Sequence, residues 1–307
     1  MASILITGGT GLVGKELVKQ LLKKKHNIII LTRSLKEVMP EQGVSYALWD
    51  VKKGTIDIEA VSKADAIIHL AGAGVMDKKW TAEYKKEILE SRTKSSELLV
   101  DTLRKYQHHV KTIVSASAIG WYGEDKKAGH LFTEEEPHDK NFLGEVCMLW
   151  EKSIESAEQL GLRVCKLRTG IVLSNKGGAY PEFKSSLKFG IASILGSGKQ
   201  VISWIHIDDL CSAYIYALEN EGMIGSYNAV APMPVNNKLL TLTIADKVKG
   251  NFYIPVHVPQ FVLQTMMGKR SIEILKSTTV SSEKIKREGF TFLYPDIVTA
   301  VNALEEE

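Results

Sequence analysis

Apolar positions along the chain follow two rhythms. Short continuous runs at 3–7, 27–31, 44–49, 65–70, 112–115 and 163–167 have the length and aliphatic content of buried strands. Between the first two, the pairs Leu12-Val13, Leu17-Val18 and Leu21-Leu22 recur every four or five residues, as one face of a helix requires. A longer helix is predicted over 80–106, with Tyr84, Ile88, Ser91, Ser95, Leu98 and Thr102 along one side, and another over 142–160. Strands apolar on both faces and separated by helices predict an α/β fold, a doubly wound parallel sheet of Rossmann type covered on both sides. After Gly170 the rhythm loosens and turn residues multiply, at 175–178, 196–198 and 231–237. We expect a large domain over 1–230 and a smaller C-terminal lobe over 231–307, without a linker or internal repeat.

Composition narrows the class. The 307 residues are 44% hydrophobic and 24% charged, ordinary for a soluble globular protein. A formal charge of only +3, spread along the chain, gives no case for nucleic acid or membrane as main partner, and Lys23-Lys24-Lys25 reads as a solvated helix end. No stretch approaches the roughly 20 apolar residues of a membrane span. No leader is visible either, since Ile4-Leu5-Ile6 runs at once into Thr7-Gly8-Gly9. Cys147, Cys165 and Cys211 are widely spaced, which argues against a disulfide framework or a metal site and suits a reducing cytoplasm.

The strongest chemical signal lies at the N-terminus. Thr7-Gly8-Gly9-Thr10-Gly11-Leu12-Val13-Gly14 places glycines 8, 11 and 14 after a strand and at the opening of a helix. There they permit a tight turn, let backbone amides approach a pyrophosphate, and let the helix lie close on the strand. A Walker loop is excluded, because no Gly-Lys-Ser/Thr follows. The next strand ends in Thr32-Arg33-Ser34, where an NAD-selective site would place an acid for the ribose hydroxyls. The permanent charge and planar fork of arginine suit a 2′-phosphate, so the expected cofactor is NADP(H).

Further segments carry a resemblance. They are Asp50-Val51, His69-Leu70-Ala71-Gly72, the strand that leads to Trp121-Tyr122-Gly123, and Trp204-Ile205-His206-Ile207-Asp208-Asp209. With the glycine motif they are similar to the extended short-chain dehydrogenase/reductases. Ser91-Arg92-Thr93, Phe142-Leu143, Val146-Cys147, Trp150-Glu151, 168–173, 203–210, and the tail 289–292 with Tyr294-Pro295 resemble the atypical epimerase-like branch, labelled epimerase family protein or cell-division inhibitor. That branch has a characteristic C-terminal tail domain. The resemblance implies that Gly8, Thr10, Gly11, Leu12, Val13 and Gly14 hold the pyrophosphate. It places Thr32 and Arg33 at the ribose and its phosphate, and Asp50 at the adenine edge. Leu70 and Ala71 would line the channel, Glu87 and Arg92 face the cofactor's middle, and Val172 lie near the nicotinamide.

Members of the superfamily ordinarily use a serine or threonine after the fifth strand and a YxxxK pair on the next helix. Ser117 can stand at the serine position. Counting back from Glu151 puts Leu143 and Cys147 where tyrosine and lysine belong, and neither can do that work. Literal YxxxK strings occur at Tyr122–Lys126 and Tyr180–Lys184, so Tyr122 is a candidate displaced acid/base. Asp208 reads as a helix cap beside His206 and Asp209. The expected function is therefore an NADPH-binding oxidoreductase or epimerase-like enzyme acting on an unidentified small molecule without the usual Tyr/Lys pair. A non-catalytic NADPH sensor or scaffold is the alternative, and a homo-oligomer is left open.

Overall fold

The computed structural model describes residues 1–36, 41–127 and 129–306. Its strands and helices follow in the order β1 (Ser3–Thr7), α1 (Leu12–Lys23), β2 (Asn27–Thr32), β3 (Val44–Asp50), β4 (Thr55–Ile56), α2 (Ile58–Ser62), β5 (Ala66–His69), α3 (Ala82–Lys105), β6 (Thr112–Ala118), α4 (Phe142–Glu155) and β7 (Arg163–Thr169). Then come β8 (Ile171–Ser174), β9 (Gly177–Gly178), α5 (Ala179–Ser185), β10 (Ile191–Leu195), β11 (Val201–Ile202), β12 (Trp204–His206), α6 (Ile207–Glu219) and β13 (Gly225–Ala229). The chain continues through β14 (Val235–Asn236), α7 (Asn237–Lys249), β15 (Ile254–Val258), α8 (Gln260–Met267), α9 (Ser271–Leu275), α10 (Glu283–Arg287) and α11 (Ile297–Glu306).

Eight strands form the central sheet in the order β13-β7-β6-β5-β1-β2-β3-β4, all parallel except β4. The strand order reverses at β1, so a crevice opens above the carboxyl ends of β1, β2 and β5, the place where sheets of this kind bind ligands. One core joins the sheet to α1 and α6 through Leu17, Leu21, Cys211 and Tyr214, and the tail residues Phe290 and Phe292 are built into it. A second core packs the opposite face through Val61, Leu99, Leu103 and Ile154. A third lies among Leu173, Tyr180, Leu187, Trp204, Leu240, Ile244, Val301 and Leu304. No helix among the described residues is long and apolar enough to cross a membrane.

Local chemistry sets the helix starts. Thr81, Asn141 and Asn236 cap α3, α4 and α7 by accepting backbone N–H bonds from Tyr84, Gly144 and Leu239. Helix α6 differs from the sequence reading. Its cap is His206, whose Nδ1 accepts the N–H of Asp208, while the Asp208 carboxylate takes a bond from Gln20.

Candidate functional site

The turn from β1 into α1 shows why each glycine is needed. Gly8 has φ +69°, and a Cβ there would lie 3.0 Å from the Leu70 carbonyl carbon. A Cβ on Gly14 would sit 2.3 Å from the Gly8 oxygen, so helix and turn touch through bare backbone. Gly11 is different: its Cβ would meet only Gly8 O, at 3.3 Å. Gly11 and Thr10 are exposed, Leu12 and Val13 half-buried, and α1 opens at Gly11 with no side-chain cap. The first amides of the helix thus face open space, with the positive end of the helix dipole behind them.

Beside this turn, a buried relay fixes the end of β5. Thr7 Oγ1 accepts the amides of Leu70 and Ala71, each at 3.1 Å, and gives its proton to His69 Nδ1 at 2.7 Å. His69 Nε2 lies 3.1 and 3.2 Å from the Ser96 and Ser95 hydroxyls, whose protons are directed at the Arg92 and Ser91 carbonyls. The ring is therefore neutral with its proton on Nε2, and burial pushes its pKa down to about 3. Leu70 and Ala71 face the crevice with amides already committed.

Around the crevice, Arg33 stands exposed just past β2, and the Thr32 hydroxyl bonds within the same turn to the Ser34 carbonyl. The Asp50 carboxylate folds back on its own turn, accepting the amides of Lys52 and Lys53. On α3, Arg92 and Glu87 part company. Arg92 is buried over the Trp150 ring at 4.9 Å, donates to the Ile88 carbonyl, and fills the space where Gly72 would carry a side chain. Glu87 is exposed and pairs with Lys78 at 3.4 Å. Val172 is half-buried in β8, whose hairpin with β9 lies against Leu12.

Ser117 and Tyr122 both stand in a buried polar cluster. Ser117 lies inside β6, which runs three residues beyond the expected 112–115, and its hydroxyl donates to Glu151 Oε1 at 2.6 Å. Leu143, Cys147 and Glu151 lie four residues apart on one face of α4. Ser117 therefore meets that face two turns, roughly 12 Å, beyond the tyrosine position. Leu143 and Cys147 face Gly120 instead, where an added Cβ would be 3.2 and 3.5 Å away. Burial pushes the Cys147 thiol up to about 12, so it offers no thiolate.

Tyr122 is buried, donating to Asn228 Oδ1 at 2.7 Å and accepting from Arg168 at 3.0 Å. Burial pushes its phenol far above the ordinary range. Tyr180 and Lys184 are likewise spent, both on Glu305. The centre of this polar cluster is Glu151, which also accepts two bonds from Arg168, at 2.8 and 3.0 Å, and one from Ser226 at 2.8 Å. Burial opposes its charge, but Arg168 outweighs that and holds the carboxyl below the usual range. The guanidinium of Arg168 rests 3.7 Å over the Trp121 ring. These partners are far apart in sequence, and no local motif announces them.

A doubly wound sheet with an open glycine turn at its switch point defines the dinucleotide-binding class of Rossmann proteins, in the form found in epimerase-type short-chain dehydrogenases. The chain belongs to the NAD dependent epimerase/dehydratase family, whose model matches residues 4–229. Residues 258–304 match a second model, a domain of unknown function (DUF1731). An epimerase family protein of Staphylococcus haemolyticus is 35% identical over 305 residues, covering 99% of both chains. The solved structure of the human epimerase family protein SDR39U1 with NADPH is similar over 99% of each chain, with TM-score 0.85 and 26% identity. A nucleoside-diphosphate sugar epimerase from Corynebacterium glutamicum has 32% identity and TM-score 0.74, over 99% of this chain and 58% of that one.

Proposed function

We propose that this chain binds NADP(H) and acts as an oxidoreductase or epimerase-like enzyme on a small molecule, without the tyrosine–lysine pair of its superfamily. The observation that supports the reading is the exposed turn at Gly11, where α1 opens with no side-chain cap and an added Cβ would meet only the Gly8 oxygen. In this reading Gly8, Thr10, Gly11 and the amides of Leu12 through Gly14 hold the pyrophosphate, the Gly11 amide itself being bonded to the Gly8 carbonyl. Thr32 and Arg33 take the ribose and its 2′-phosphate, Asp50 the adenine side, and Leu70 and Ala71 the channel wall. Arg92 offers a buried cation to the middle of the cofactor, with Glu87 at the rim, and Val172 lies toward the nicotinamide. The human relative solved with NADPH supports that choice of cofactor.

NADPH, when bound, supplies a hydride. This chain's part is to hold and orient it, and to exclude water with the apolar surface of Leu143 and Cys147. The same two residues favour a second reading, a protein that binds NADPH without turnover, because neither can deliver a proton. Consumption of NADPH against a panel of carbonyls and sugar nucleotides separates the two.

Cofactor choice is tested by titrating NADPH and NADH into the unmodified chain and Arg33→Ala. A bidentate charge-assisted contact contributes roughly 1.5–3 kcal/mol, about one to two powers of ten in affinity. NADPH binds more tightly to the unmodified chain, and the variant loses most of the difference. Equal affinities in the unmodified chain overturn the assignment.

A further inference from the structure

We infer that the C-terminal segment 277–294 is the frame that fixes both walls of the nicotinamide end of the crevice, with Ser203 and Asp209 as positioning residues. This rests on the cofactor reading above, and it gives a task to a stretch within the domain of unknown function.

One wall is β8, which carries Val172. It is paired with β12 in the register Val172 to Ile205, and Ile171 donates its amide to the Ser203 carbonyl at 2.9 Å. The segment grips β12 at both ends. Before it, the Ser203 hydroxyl donates to the Thr278 carbonyl at 2.8 Å and accepts the Val280 amide at 2.9 Å, while the Ser277 hydroxyl accepts the Val201 amide at 3.0 Å. After it, the two oxygens of Asp209 accept the amides of Leu293 and Tyr294, at 2.8 and 2.9 Å, and the Tyr294 ring lies 4.0 Å from His206. Ser203 and Asp209 are each 1% exposed, so no water stands in when these bonds are lost.

The other wall is formed by the ends of β6 and β7. Asn228 donates to the Ser281 carbonyl at 3.0 Å and accepts from Tyr122, which in turn is bonded to Arg168 of β7. Asp125, just past the end of β6, accepts both the amide and the hydroxyl of Thr279. One segment therefore spans the two walls. Among the described residues, the bonds given above reach neither the glycine turn nor the end of β2, where the adenosine half is placed, although Phe290 and Phe292 share a core with α1.

The asymmetry supplies the test. NADPH spans both halves of the crevice, whereas 2′,5′-ADP carries only the adenosine with its 2′- and 5′-phosphates. Both are titrated by calorimetry into the full chain, Ser203→Ala and Asp209→Asn, with circular dichroism reporting the fold. Loss of bonds to a buried orienting group weakens NADPH about tenfold in either folded variant, while 2′,5′-ADP stays within about twofold. Equal losses for the two ligands, or no loss for either, overturn the framing role. An unmodified chain that binds neither ligand overturns the cofactor reading itself, a failure visible before any variant is made.

Discussion

At Gly11 a valine would push two methyl groups into the space where the first amides of α1 converge. Within the protein the added Cβ meets only the Gly8 carbonyl oxygen, at 3.3 Å, so Gly11→Val abolishes dinucleotide binding with a small loss of melting temperature and a far-UV circular dichroism spectrum near that of the unmodified chain. Retained affinity in the folded variant would place the ligand elsewhere. Gly14 obeys a different constraint, because its Cβ would strike the Gly8 oxygen, and substitution there costs stability first. The difference between the two was not legible in the sequence, although the motif itself was. Spacing shows that a turn needs glycines; only the folded turn shows which ones a ligand explains. The partners of Ser117 and Tyr122 were not legible for a related reason. Their hydroxyls answer to Glu151 and Asn228, 34 and 106 residues away, and no local pattern encodes such partners.

Helix α4 keeps its family position while its inward face has changed character. Leu143 and Cys147 are apolar in effect, and the charged residues that follow on the face, Glu151 and Glu155, are consumed by Arg168 and Lys166. A buried pair is costly to form but more costly to break, since the survivor is left charged and unpaired. Arg168→Leu therefore lowers unfolding free energy by about 3–5 kcal/mol in urea titrations, whereas Cys147→Ser shifts it by less than about 1 kcal/mol, the size of a small volume-conserving change. A loss below about 1 kcal/mol in Arg168→Leu would show that the cluster is not the structural anchor described above. At this scale six of the eight strands of the central sheet could be read from their aliphatic runs. β13 could not, because Gly225-Ser226-Tyr227-Asn228-Ala229 is an edge strand whose polar side chains serve the buried cluster. Polar strands of that kind resemble turns until their partners are known.

Across the whole molecule, two histidines tie stability to pH. His69 and His206 are fully buried, and burial lowers their pKa values to about 3 and about 4 from 6.5. Below pH 6.5 the unfolded chain takes up protons that the folded one refuses, so stability is complete above that pH and falls as pH drops toward the folded values. Each histidine removes on the order of 2 kcal/mol between pH 7 and pH 5. Urea midpoints at the two pH values measure the fall, and His69→Gln flattens it by the share of that residue; an unchanged midpoint would mean that His69 is not held neutral. The sequence placed the parallel sheet correctly, yet it could not show that Phe290 and Phe292 enter the same core as α1. The lock on Asp209 also has a consequence for biosynthesis. Its partners follow 84 residues later in the chain, an interval of roughly 4–17 s at ordinary translation speeds. Through that interval the nascent protein holds a finished phosphate turn but an unsealed carboxylate. The edge of β13 also stays open, because Lys284, which donates to the Ser226 carbonyl, has yet to be made for most of that time. The order of synthesis thus leaves the first turn and the final closure of the chain to form as separate events.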